Sequence, residues 1–184
     1  MKWPPKIVLI LVSIVAIIAW AQSPTDNRGL AQETQVRGYW VDPSTGLMWA
    51  GRDNGKDVTW NKAMKYCRDF RLAGYSDWRL AIMAELQGIY DRTANAPGLG
   101  VHEIEPTTWH VKGNLFLTAY QWSSDDILDD RGHPSGYAHY FDFNEASRMK
   151  IRRATPRTNM RCAFEGPAND GGGPATTLLS KFLF

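Results

Sequence analysis

Two cysteines, Cys67 and Cys162, stand 95 residues apart and are the only ones in a chain of 184. Their local sequence says which way each side chain points. In "TWNKAMKYC", Trp60, Ala63, Met64 and Cys67 recur at i, i+3, i+4 and i+7, the spacing of one apolar helix face. In "NMRCAFE", Met160, Cys162 and Phe164 alternate with Arg161, Ala163 and Glu165, the pattern of a half-buried strand. An early helix and a late strand therefore each turn a cysteine inward. Whether the two thiols join depends on the redox compartment.

The N-terminus addresses that question. "MKWPPKIVLILVSIVAIIAWAQ" carries Lys2 and Lys6, an apolar run from Ile7 to Trp20, and Ala19 and Ala21 where a signal peptidase reads. A signal peptide over 1–21 is expected, with an uncleaved anchor as the alternative. The chain is then exported: periplasmic, cell-surface or secreted. In such a chain two cysteines default to one disulfide, Cys67–Cys162, the alternative being two separate buried thiols. The bridge would staple the first helix to the last strand and leave no thiolate nucleophile.

Cleavage removes two lysines and no acid, which takes the formal net charge from +2 to 0. A neutral exported chain has no electrostatic reason to bind nucleic acid, and it meets a membrane only through an uncleaved signal. About 160 residues remain, enough for one domain. Residues 22–35 are polar and aperiodic, a linker; 36–165 form the ordered domain. Residues 166–184 are a Gly/Pro-rich tail ending in "LLSKFLF", which leaves a homo-oligomeric contact open.

The element order follows from pattern. Tyr39–Val41 and Leu47–Ala50 read as a hairpin around Asp42-Pro43-Ser44-Thr45-Gly46. A helix over 59–70 follows, with Asp57 or Thr59 available as cap. A second helix is expected over 82–91, with Ile82, Leu86, Ile89 and Tyr90 on one face. Residues 92–118 read as a long loop, "YQWSS" as a strand end and "SDDILDDRGHPSG" as a polar loop. "YAHYFDF", "RMKIRR" and "NMRCAFE" read as strands. The order argues α+β with an antiparallel sheet.

"TGLMWA", "TWNKAMKYCRDF", "AGYSDWRLA" with the following "AEL", "WSS" and "NMRC" together resemble the Lcl C-terminal domain, a bacterial exported module. The resemblance covers about Gly38 to Phe164, and Ala73 to Leu86 is its most specific part. Trp60, Ala63 and Cys67, then Trp78-Arg79-Leu80 and Glu85-Leu86, also resemble the opening of C-type lectin-like domains. The fold this implies is C-type lectin-like: two helices packed on a small antiparallel sheet with long loops. In that fold a first-helix cysteine pairs with one in the last strand, as expected above. Two departures matter. Ala81-Ile82 stand where the family has a proline and a hydroxyl, so the second helix lacks its usual cap. The inner disulfide and the calcium-and-sugar triplets of typical C-type lectins are absent. The resemblance implies a non-catalytic binding or adhesion module, in some members recognising acidic polysaccharides.

The residues supply candidates of their own. From Arg148 to Arg161 lie Arg148, Lys150, Arg152, Arg153, Arg157 and Arg161 with no acid. On a strand Arg148, Lys150 and Arg152 share one face, with Met149 and Ile151 opposite. Guanidinium forks suit sulfate and carboxylate groups, so an acidic glycan or a surface protein is the expected partner. A solvated strand edge is the plainer explanation. Asp125, Asp126, Asp129 and Asp130 are weak candidates for calcium, and pairing with the arginines is the alternative. No cofactor is otherwise implied. The four histidines show no zinc-binding spacing, and no Walker loop or G-x-S-x-G elbow occurs. Trp49, Trp60, Trp78 and Trp122 read as core, whereas Trp109, in the irregular stretch, is the tryptophan expected to stack on a ligand. Arg79 is expected to pair with Glu85 or Asp77. Two other functions remain open: a cell-envelope enzyme of the polysaccharide hydrolase class, and a structural envelope subunit.

Overall fold

The computed structural model describes residues 34–100, 105–156 and 162–165. The expected signal, most of the linker and the tail lie outside the described residues.

β1 (Tyr39–Val41) and β2 (Leu47–Ala50) form the expected hairpin, in register Tyr39–Ala50 and Val41–Met48. The turn is held by Asp42, whose Oδ1 accepts the Ser44 amide at 3.0 Å and whose Oδ2 accepts the Thr45 hydroxyl at 2.9 Å. Gly46 supplies the positive φ, 74°, that closes it. The last strand, β9 (Cys162–Glu165), pairs antiparallel with β2 on one side and with β3 (Arg79–Leu80) on the other. The sheet order is therefore β1-β2-β9-β3.

β2 is apolar at every position because both of its faces are covered. Leu47 and Trp49 join one hydrophobic core, Met48 and Ala50 the other. Helix α1 (Trp60–Asp69) lays Trp60, Ala63 and Cys67 into the second core, the stripe expected from its spacing. Helix α2 (Met83–Gly88) lays Met83 and Leu86 into the first. The helices thus lie on opposite faces of the sheet. Cys67 is fully buried and disulfide-bonded.

Three expectations need correction. Among the described residues the antiparallel structure is three sheets rather than one: the four-stranded sheet, a β4 (Ala96–Leu99)–β5 (Pro106–Trp109) pair, and β6 (Gln121–Leu128)–β7 (Pro134–Asp142)–β8 (Ser147–Arg152). Residues 92–118 are accordingly not one loop, because β4 and β5 pair from Ala96–Trp109 to Leu99–Pro106. "SDDIL" is not loop either; it is the body of β6, whose pairing with β7 shifts register on both sides of Asp126.

Helix ends show where missing local caps are replaced by distant groups. Thr59 N-caps α1 without a side-chain bond, and the Trp60 amide donates to the Arg153 carbonyl at 3.0 Å. Two indoles then lock α1 to β6: Trp60 Nε1 donates to Ser123 O at 2.7 Å and Trp122 Nε1 to Val58 O at 2.9 Å. α2 is shorter than expected and leaves Ile82 outside it, 39% exposed. Asp53 is a polar clamp that the sequence pattern did not single out. Its carboxylate accepts the Thr118 amide at 2.7 Å, the Thr118 hydroxyl at 2.9 Å and the Gln121 side-chain amide at 3.0 Å. Among the described residues no helix is long and apolar enough to cross a membrane.

Candidate functional site

β8 alternates as its sequence requires. Arg148, Lys150 and Arg152 are exposed, while Met149 and Ile151 are half-buried. Register puts Arg148 opposite Phe141, Lys150 opposite His139 and Arg152 opposite Tyr137 on β7. Directly paired residues share a face, so this face combines three cations with Tyr137 and His139, while Phe141, opposite Arg148, is buried in the first core and closes that end. The Arg152 guanidinium lies 5.9 Å from the Tyr137 ring centroid, a long cation–π contact. Among the described residues β8 is an edge strand of its sheet.

His139 reports the field on this face. Burial first, then Arg148, hold its imidazole below its ordinary 6.5; Lys150 acts the same way and Asp125 opposes both. The imidazole is therefore neutral at pH 7 and adds a proton only in acid.

Arg153 does something else. It continues the inward side of β8, and its guanidinium lies 4.0 Å over the Trp60 ring. Its Nε donates to Tyr137 O at 3.0 Å and its Nη2 pairs with Asp126. Only 16% of this side chain is exposed. Arg153 fastens β8 to α1 and β6 instead of facing a ligand. Arg157 and Arg161 lie outside the described residues.

The acid cluster is divided among structural tasks. Asp125 Oδ2 accepts the Met83 amide at 2.6 Å and the Ser123 hydroxyl. It supplies the cap that Ala81-Ile82 cannot, since a carboxylate suits the exposed amides of a helix start. Asp126 pairs with Arg153, and Asp129 Oδ1 accepts the amides of Arg131 and His133, each at 2.9 Å. Asp130 is exposed in the same turn. Among the described residues no group of three or more His, Cys, Asp or Glu is placed to hold a metal ion. Glu85 completes the α2 start: it takes Arg79 in a bidentate pair, 2.8 and 2.6 Å, and accepts the Ile82 amide at 2.9 Å. Arg79 thus has the structural partner expected of it.

Trp109 is a correction. It is 1% exposed, sits in the first core and donates Nε1 to Leu99 O at 3.2 Å. The cause is Gly98: a Cβ there would come within 2.5 Å of the indole, so the glycine lets the ring close over β4. Trp109 offers no ring face to a ligand. Trp49, Trp60, Trp78 and Trp122 are core as expected. Among the described tryptophans Trp40 is the one that is not buried; it lies on the edge strand β1, whose pattern does not distinguish it from the others.

Comparison with curated proteins returned no match. The family model described as the Lcl C-terminal domain matches residues 38–163, from just before β1 into β9. With α1, α2, the basic face and all three sheets but for the last two residues of β9 inside that span, the chain belongs to the Lcl C-terminal domain family.

Proposed function

We propose that the chain is an exported, non-catalytic binding module with a C-type lectin-like fold. Its ligand is an acidic polysaccharide, met by the open face of β7 and β8. One observation carries the reading: Arg148, Lys150 and Arg152 are all exposed on one face of one strand. Alternate residues on a strand stand about 7 Å apart, so the three cations form a short ladder. A chain with repeating sulfate or carboxylate groups can engage such a ladder at several points. Guanidinium groups add bidentate geometry to the charge.

The C-type lectin-like assignment is supported by the way β9 closes the N-terminal hairpin against β3. Cys162 opposes Leu80 there, and Leu80 shares a core with Cys67. We assign Cys162 as the disulfide partner of Cys67. The non-catalytic reading is supported by that bridge. It is supported too by Ser123, a buried serine whose hydroxyl donates to Asp125, a group already engaged as a helix cap.

The test is binding of a heparin-like chain and of an uncharged dextran at two salt concentrations. Wild type is compared with the combined variant Arg148→Ser, Lys150→Ser, Arg152→Ser. Wild type should bind the acidic chain, more weakly as salt shortens the Debye length. The variant should lose about tenfold or more, an effect of about 1.4 kcal/mol. Failure of wild type to bind, or equal binding by the variant, reduces β8 to a solvated edge.

A further inference from the structure

Of the six tryptophans from Trp40 to Trp122, five are at most 8% exposed, and Trp40 alone is not buried. It lines a cleft of about 770 Å³ between β1, the segment Asp91–Ala96 and the turn Lys112–Asn114. That volume falls in the range of small-molecule sites. The cleft shares no residue with the basic face of β8.

The ring is held in place by backbone. Gly113 has φ 70°, and a Cβ on it would lie 2.2 Å from Trp40 Cδ2. Only glycine lets the chain pass so close, so the indole orientation is set before any ligand arrives. A ligand then meets a surface that needs no reordering, which saves part of the usual entropy loss.

Among the polar groups that line the cleft, two are neutral side-chain amides. Asn95 and Asn114 line the cleft, and their side-chain amides make no hydrogen bond among the described residues. Each amide offers both donors and an acceptor. Of the charged groups, Asp91 is engaged by the Thr93 amide and hydroxyl at 2.8 and 2.7 Å, and Lys112 Nζ donates to Gly88 O at 2.8 Å. Asp42, held by the Ser44 amide and hydroxyl and the Thr45 hydroxyl, and Arg37 line the cleft as well, so two acids and two bases leave its formal charge balanced.

A flat apolar ring beside unengaged neutral amides matches a pyranose. The sugar's C–H face lies on the indole, and its hydroxyls both give and accept hydrogen bonds. We propose that this cleft is a second ligand site, which takes an uncharged pyranose residue on Trp40 with Asn95 and Asn114 as its hydrogen-bonding partners. A chain with two such sites would hold an acidic polymer on one surface and a neutral sugar on another.

The probes are maltotriose, cellotriose and the N-acetylglucosamine trimer, titrated to millimolar concentration into the full exported chain. Affinity is read by calorimetry, and Trp40 by emission and by quenching with iodide. At least one trisaccharide should bind, shift the emission to the blue and protect against iodide, with little dependence on salt. Asn95→Ala removes an exposed side chain and should weaken binding about three- to tenfold, as one lost neutral hydrogen bond does. Trp40→Phe should weaken binding and abolish the spectral change. The Arg148, Lys150 and Arg152 serine variant should bind the trisaccharide as wild type does, which keeps this site separate from the polyanion face. The proposal is overturned if no trisaccharide binds. It is equally overturned if both Asn95→Ala and Trp40→Phe bind as wild type, or if the β8 variant abolishes binding.

Discussion

Arg152 and Arg153 are adjacent in the chain and lie on opposite faces of the same sheet. The inward face of β7 and β8 carries Ala138, Tyr140, Ile151 and Arg153 against α1, where Arg153 meets Trp60, Asp126 and the Tyr137 carbonyl. The other face carries Tyr137, His139, Arg148, Lys150 and Arg152, with Phe141 at its far end buried in the first core. A strand sorts equal charges by parity alone, so a count of basic residues overstates the exposed basic surface. One side is used for cohesion and the other is the side proposed to meet a ligand. Mutations should divide along that line into losses of stability and losses of binding.

The largest stability effect is expected at the disulfide, on the closed side. Cys67→Ala and Cys162→Ala should each cost about 2–5 kcal/mol in denaturant unfolding of the oxidised protein. If the two cysteines are partners, the double variant should lose no more than either single one. Independent, additive losses would separate them. Next is Arg153→Met, which keeps much of the stem and removes the charge. It loses a desolvated cation–π contact and a hydrogen bond, so about 2–3 kcal/mol is expected. Arg152→Met, one residue away, should stay within about 0.5 kcal/mol. Equal costs at the two positions would erase the distinction between the faces.

A smaller effect comes from His139. Burial and Arg148 keep its native pKa below the ordinary 6.5, so the unfolded chain binds more protons over that interval. Stability should therefore fall as pH drops through 6.5 and level off below the native pKa. The added charge should at the same time strengthen polyanion binding in acid. His139→Gln should flatten both trends; unchanged pH profiles would show that His139 does not report this face.

The two faces also differ in how far they could be read from sequence. The outward ladder follows from i, i+2 alternation in "SRMKIR", which is local. The β1–β2 hairpin is equally local, because Asp42 and Gly46 build its turn. The role of Arg153 is not local, since its partners lie on α1, β6 and β7. Asp125 and Asp126 read as acids in a polar loop that sit in solvent or pair with the arginines; Asp126 does pair with Arg153, but nothing near Asp125 announces the helix start at Met83 that it caps. The β4–β5 pair was hidden by Pro97 and Pro106, which are tolerated there because each strand of a two-stranded sheet is an edge. Trp109 was misplaced for the same reason: the glycine that lets it close over β4 looks like a loop breaker.

The division of labour between the faces is tested most directly by amide chemical-shift mapping. The ¹⁵N-labelled chain would be titrated with a sulfated oligosaccharide at low salt. Shifts are expected at Tyr137, His139, Arg148, Lys150 and Arg152, with the amides of α1 unmoved and the pattern collapsing at high salt. Saturable shifts that spare these five positions, or that centre on α1 and Arg153, would contradict the account.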